Sequence, residues 1–275
     1  MCGRYTLVKE IKLITKKLNL SASEDILAFK SYNIAPSQYA PVLASDAPSQ
    51  MQMMMFGYIP DWQKTRRFLI NARSEGSGKY YNKEDDPNYT GAFHIKDSRE
   101  FRTMIRGQRC LIWANCFFEG SKEEKLSKPF VVYKKGAKIF ALAGIWKEWV
   151  DKSTGELKKS FAILTTYPNG LMNKHVKHHR TPVIIKEEHY SKWLDLGTPL
   201  PEVTDMLHPL PESLMNAYPV NTRVKNVRNN DRDIIEPIGP KVYEEEEIII
   251  ADKLYKTGFG DSPARRRKAE ENNDN

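Results

Sequence analysis

Apolar residues recur along this chain mostly in short runs of strand length, and helical spacing is confined to a few places. Ile11, Leu13, Ile14, Leu18 and Leu20 follow a rough helical period just after the first strand-like residues. Strand patterns follow at PVLAS (41–45), MQMMMFGY (51–58), FLINA (68–72) and RCLIWANCFF (109–118). Four more occupy PFVVY (129–133), KIFALAGIW (138–146), SFAILTT (160–166) and TPVII (181–185). Asp97 and Glu100 have the spacing of a capping box ahead of a short helix through Met104, and EEHYSKWLD (187–195) reads as another helix. Strands outnumber helices, and the two do not alternate. The pattern predicts an α+β fold: a mixed, mostly antiparallel β-sheet or barrel-like core with peripheral helices, not a doubly wound parallel sheet.

Residues 76–98 are polar and turn-rich and read as a long surface loop. No repeat and no clear linker divides the chain, so one domain is expected over 1–259. The polar tail 260–275, too polar to pack, is expected to be disordered. Composition then narrows the class. No window approaches 18 apolar residues, which argues against a membrane span. The start MCGRYTLVKE lacks a basic region followed by an apolar stretch, so no secretory signal is read. Three cysteines in 275 residues do not make a disulfide framework, and a reducing, cytoplasmic compartment fits. Cys110 and Cys116 are separated by five residues, outside any CxxC pair, and the six histidines scatter. They read as core residues, and no metal or other cofactor is expected. The net charge of +8 suits a nucleic-acid partner, although charge alone does not establish one.

Chemistry is best sought at Cys2, which follows Met1 and precedes Gly3. Removal of Met1 would expose a 1,2-aminothiol. Its amine, with a pKa of about 8, and its thiol, of about 8.5, are both partly reactive near neutral pH. An aldehyde would form an imine with the amine, and the thiol would then close a five-membered thiazolidine ring. An internal cysteine cannot do this, because its nitrogen is held in a peptide bond. Taken alone, position 2 could equally be one that tolerates any small residue.

Four segments, CGRY (2–5), NARSE (71–75), FFEG (117–120) and HHRTP (178–182), set polar groups beside strand-like residues. With YNIAPSQ (32–38), FGYIPDW (56–62), FALAGIW (140–146) and YPV (from 218) they run in one order. In that order, up to about Pro240, the chain resembles the SRAP family, the abasic-site-processing proteins also called SOS-response-associated peptidases. The resemblance implies that Cys2 bonds covalently to an abasic site, with Asn71 hydrogen-bonding near the cysteine and the opened sugar. It implies that Glu119 shuttles protons during imine formation and ring closure, and that His178 assists sugar ring opening. Arg4, Arg73 and Arg180 match arginines that hold backbone phosphates, and Trp62 matches an aromatic stacking near the lesion. The implied partner is single-stranded DNA containing abasic sites, met by a monomer at the bacterial nucleoid or in a eukaryotic nucleus. The implied activity protects the lesion during repair, with lyase cleavage and self-processing as possible side activities. Gly120 and Phe56 stand where the family commonly has Trp, and Thr181 where it has Met or Arg.

The residues permit other readings. Cys2, His178 and Glu119 could serve as nucleophile, base and orienting group of a cysteine peptidase. A non-catalytic single-strand-binding module would need only the basic surface and Trp62. Asn71 could be a strand-end residue, Glu119 a structural ion-pair partner, Arg73 and Arg180 surface salt bridges, and Trp62 core. Periodicity does not choose His178 over His175 or His179; the family pattern does, because its histidine stands two before the arginine that precedes the proline.

Overall fold

The computed structural model describes residues 2–8, 10–60, 68–75, 93–150 and 154–245. The chain divides into compact units of residues 1–242 and 243–275. Of the second, only 243–245 are described, so the tail expected at 260–275 lies outside the described residues. In chain order the first unit holds β1 (Tyr5–Leu7), α1 (Ile11–Lys17), α2 (Glu24–Leu27), β2 (Ser31–Ile34), β3 (Tyr39–Ala44), β4 (Met51–Phe56) and β5 (Asn71–Arg73). Next come α3 (Met104–Gly107), β6 (Arg109–Ala114), β7 (Cys116–Glu119), β8 (Phe130–Lys134), β9 (Phe140–Val150) and β10 (Leu157–Thr166). The order ends with β11 (Thr181–Pro182), β12 (Ile184–Ile185), α4 (Tyr190–Leu194), α5 (Leu200–Asp205) and β13 (Met215–Pro219).

The fold is α+β, as the strand-rich pattern implies. Strands β4, β3, β6, β9 and β10 pair in that order, and β10 returns to β4, so the five close into a barrel. Every seam is antiparallel except β10–β4, where Ser160 lies opposite Met55 in parallel register. A second, antiparallel sheet has the order β13-β8-β7-β1-β2. The barrel explains why β6 reads as an unbroken apolar run: all six of its residues are buried. Gly144 lets β9 approach β6. A Cβ there would stand 2.5 Å from Ile112 Cδ1 and 2.7 Å from Cys110 Sγ, both inside a close-packed core. Gly144→Ala is therefore expected to destabilise by about 1–3 kcal/mol through overpacking, read as a lower midpoint in thermal melts.

The structure departs from the pattern in several places. The run 109–118 is two strands in different sheets, broken at Asn115. That side chain accepts from Val8 N–H at 2.7 Å and donates to Lys138 O at 2.5 Å, and its own N–H donates to Thr6 O at 2.8 Å. These bonds turn the chain from the barrel into the second sheet. The capping box does not form. Asp97 pairs with His94 at 3.1 Å and Glu100 accepts from Tyr58 OH at 2.5 Å, so α3 starts only at Met104. Residues 76–92 of the expected surface loop lie outside the described residues. Its end is not superficial: Phe93 and Ile95 are buried around a single 3-10 turn, His94–Asp97. Among the described residues no helix is long and apolar enough to cross a membrane.

Candidate active site

β10 organises the site. Along one edge lies β4 and then, further on, β5, with Asn71 opposite Ile163. Along the other edge lies β9 and then β11, with Thr181 opposite Thr166. Asn71 and the residues just before β11, His178 to Arg180, thus arrive at the same end of β10. The second sheet supplies the rest. Antiparallel pairing of Tyr5 with Phe117 runs residues 2–4 alongside the end of β7, where Phe118 N–H donates to Arg4 O at 2.9 Å. This places Cys2 near Glu119.

Four of the expected residues come together. Cys2, Glu119 and His178 are 1%, 5% and 4% exposed. Asn71 Nδ2 donates to Cys2 O at 3.1 Å and reaches Ile163 O at 3.4 Å. Asn71 Oδ1 is buried and accepts no hydrogen bond among the described residues. His178 Nε2 lies 3.6 Å from Glu119 Oε1. His178 Nδ1 lies 2.9 Å from Arg180 O and 3.2 Å from Arg180 N. The Cys2 thiol points to Arg4 O at 3.9 Å. His179 lies against His178 with ring centroids 4.6 Å apart and adds its own electrostatic influence on Glu119, whereas His175 is exposed on the preceding turn.

Electrostatics here favour neutral forms. Burial pushes the Cys2 thiol far above the usual cysteine range, and the Glu119 charge pushes it the same way. Burial raises the Glu119 carboxyl too, opposed in part by the Gly120 N–H and by His179. Between Glu119's ordinary pKa and its raised one, the folded chain holds a proton that the unfolded chain has released. Stability therefore falls as pH rises through that window. Glu119→Gln should flatten the fall, read as the denaturant midpoint against pH.

The expected phosphate contacts fare differently. Arg180 is 2% exposed and is not at the surface. Its Nη1 and Nη2 donate to Glu75 Oε1 and Oε2 at 2.8 and 2.7 Å, Nε donates to Thr165 Oγ1 at 3.1 Å, and Nη2 also donates to Thr165 O at 3.0 Å. A phosphate would have to displace a buried bidentate carboxylate. Arg4 is half-buried and lashes the N-terminal segment to Asn33 Oδ1 at 3.0 Å, Val224 O at 2.9 Å and Lys225 O at 3.2 Å. These two arginines hold the protein together in this arrangement. Arg73 is partly exposed at the end of β5, and Trp62 lies outside the described residues. Glu75 was not singled out by the sequence, although it closes the NARSE segment and is the acid that Arg180 needs.

Gly120 has a local reason. A Cβ there would fall 1.7 Å from Lys125 O, because residues 121–128 fold back onto it through the turn Lys125–Ser127. No larger residue fits while that turn keeps this path. Phe56, a second departure, stacks on Phe161 at 5.2 Å and meets Tyr5 edge-on at 5.7 Å, wholly buried. Among the described residues no cluster of three His, Cys, Asp or Glu is placed to hold a metal ion.

Comparison with known proteins follows the same residues. The chain is 29% identical over 243 residues to the abasic site processing protein YoqW of Bacillus subtilis (strain 168), covering 86% of this chain and 99% of that one. It is 24% identical over 246 residues to the abasic site processing protein YedK of Escherichia coli (strain K12), covering 86% and 100%. It is 27% identical over 228 residues to the abasic site processing protein HMCES of Xenopus tropicalis, covering 73% and 64%. A crystal structure of a Bacteroides thetaiotaomicron protein superposes with a TM-score of 0.71 at 23% identity, over 86% of this chain and all of that one, which establishes likeness of fold. The SOS response associated peptidase (SRAP) family model matches residues 1–83 and 91–227, and the chain belongs to that family.

Proposed function

We propose that this protein processes abasic sites in single-stranded DNA by forming a covalent bond to them through Cys2. The observation that carries the reading is the convergence of the Cys2 backbone and thiol with Asn71, Glu119 and His178 in one buried site. The names of the relatives point the same way.

Hydrolysis of the Met1–Cys2 bond, consuming one water, frees the α-amine. The amine adds to C1′ of the opened sugar, and the carbinolamine loses water to give an imine. The Cys2 thiol adds across the C=N bond: sulfur bonds to C1′ and the thiol proton goes to nitrogen. One water is released overall by capture. Glu119, whose carboxyl burial raises, gives a proton to the departing hydroxyl, recovers one from the iminium nitrogen to leave the imine, and then relays the thiol proton to that nitrogen as the ring closes. His178 moves the proton needed to open the sugar ring. Asn71 Oδ1, an open acceptor, takes a hydrogen bond from the bound sugar or the iminium N–H.

A high thiol pKa suits this order, because the amine attacks first and the thiol only closes the ring. A peptidase would want the thiolate beside an imidazole, whereas this thiol turns to a backbone carbonyl. The buried reactive groups favour an unpaired strand, whose sugar can leave the stack at little cost. The test is direct. Protein lacking Met1 is mixed with an oligonucleotide carrying one abasic site, and the products are run on a denaturing gel. A retarded species is expected, with the intact mass of the two components less one water. The reading fails if Cys2→Ala forms as much of that species as wild type.

A further inference from the structure

We infer that Glu75 is a positioning residue: through its buried ion pair with Arg180 it holds the Arg180 peptide against the His178 ring and so sets which ring nitrogen carries the proton. This rests on the reading above, in which His178 moves protons during capture.

The contacts form a short chain. Glu75, 1% exposed, grips both terminal nitrogens of Arg180. Thr165 on β10 takes Nε through its hydroxyl and Nη2 through its carbonyl. The guanidinium is thereby tied to the segment following β5 and to β10 at once, with charge-assisted bonds closed off from water. The Arg180 backbone cannot shift without breaking them.

That backbone meets one atom of His178 twice. Arg180 N–H lies 3.2 Å from Nδ1, and Arg180 O lies 2.9 Å from it. One is a donor and the other an acceptor. A bare Nδ1 accepts from the N–H, and a protonated Nδ1 donates to the carbonyl. Nδ1 can therefore gain or lose its proton without rotation of the ring, while Nε2 stays 3.6 Å from Glu119 Oε1. The shorter contact favours Nδ1–H in the resting protein, which leaves Nε2 as the base facing Glu119. Here Arg180 acts through its backbone, and its side chain serves to fix that backbone.

The test uses the full chain and two variants. Glu75→Gln neutralises the carboxylate, and Thr165→Val removes the Nε acceptor but keeps the ion pair, so it carries the test if Glu75→Gln does not fold. Three quantities are read: the rate of adduct formation at saturating abasic strand, the affinity for an undamaged single strand in a Cys2→Ala background, and the ¹⁵N chemical shifts of the His178 ring in free protein. Both variants should slow the reaction by about 10- to 100-fold, as misplaced catalytic groups do, leave affinity unchanged, and move the ring shifts away from the Nδ1–H form. Unchanged ring shifts overturn the proposal. So does lost affinity at an unchanged rate, which would make Arg180 a phosphate contact. If wild type forms no adduct, the abasic-site reading falls, and the ring shifts still decide whether Glu75 positions His178.

Discussion

Glu119→Gln is expected to slow covalent capture of an abasic strand by about 10²- to 10⁴-fold, the range that positioned acid–base groups supply. Glutamine keeps the shape and a hydrogen-bonding carbonyl but can neither give nor take the protons that imine formation and ring closure require. Glu119 is 5% exposed, so buffer has little access to replace it. His178, at 3.6 Å, can substitute only in part. Single-turnover time courses on denaturing gels measure the rate, and strand affinity should hold. A rate within a few-fold of wild type would reduce Glu119 to a structural partner of His178.

Arg180→Ala is expected to cost about 3–5 kcal/mol of stability, because it leaves the Glu75 carboxylate buried without its cation. For a chain of this size that lowers the melting temperature by roughly 10 °C. A surface arginine that only touched phosphate would change stability by no more than about 0.5 kcal/mol. Equilibrium denaturation of the DNA-free protein separates the two roles. A near-native midpoint would return Arg180 to the list of phosphate contacts.

Much of the fold was legible because barrel strands carry their signal locally. Runs such as FALAGIW and SFAILTT are apolar enough over strand length to announce themselves. The strands at 31–34 and 215–219 did not, since SYNI and MNAYP are short, polar in part, and made into strands by their partners β1 and β8. Asn115 hid a corner inside an apolar run, because only tertiary partners show that its amide replaces backbone bonds. The Asp97–Glu100 spacing misled for the reverse reason: His94 and Tyr58 claim both carboxylates. At the site, the order of motifs in the chain singled out Cys2, Asn71, Glu119 and His178, and the fold gathers them. Arginines were harder. A guanidinium's sequence neighbourhood does not say whether it meets a phosphate or a buried acid, and for Arg180 the answer lies 105 residues away in Glu75.

The parallel seam beside β10 bears on how this protein is made. β10 cannot complete its edges until segments near residues 56, 71 and 181 have all returned to it. Such long-range pairing is slow and comes late in folding. A growing or half-folded chain therefore carries Cys2 without Asn71 or His178 beside it. Capture assisted by these side chains thus waits until the last strands dock, and gain of rapid covalent activity during refolding would report closure of the barrel itself.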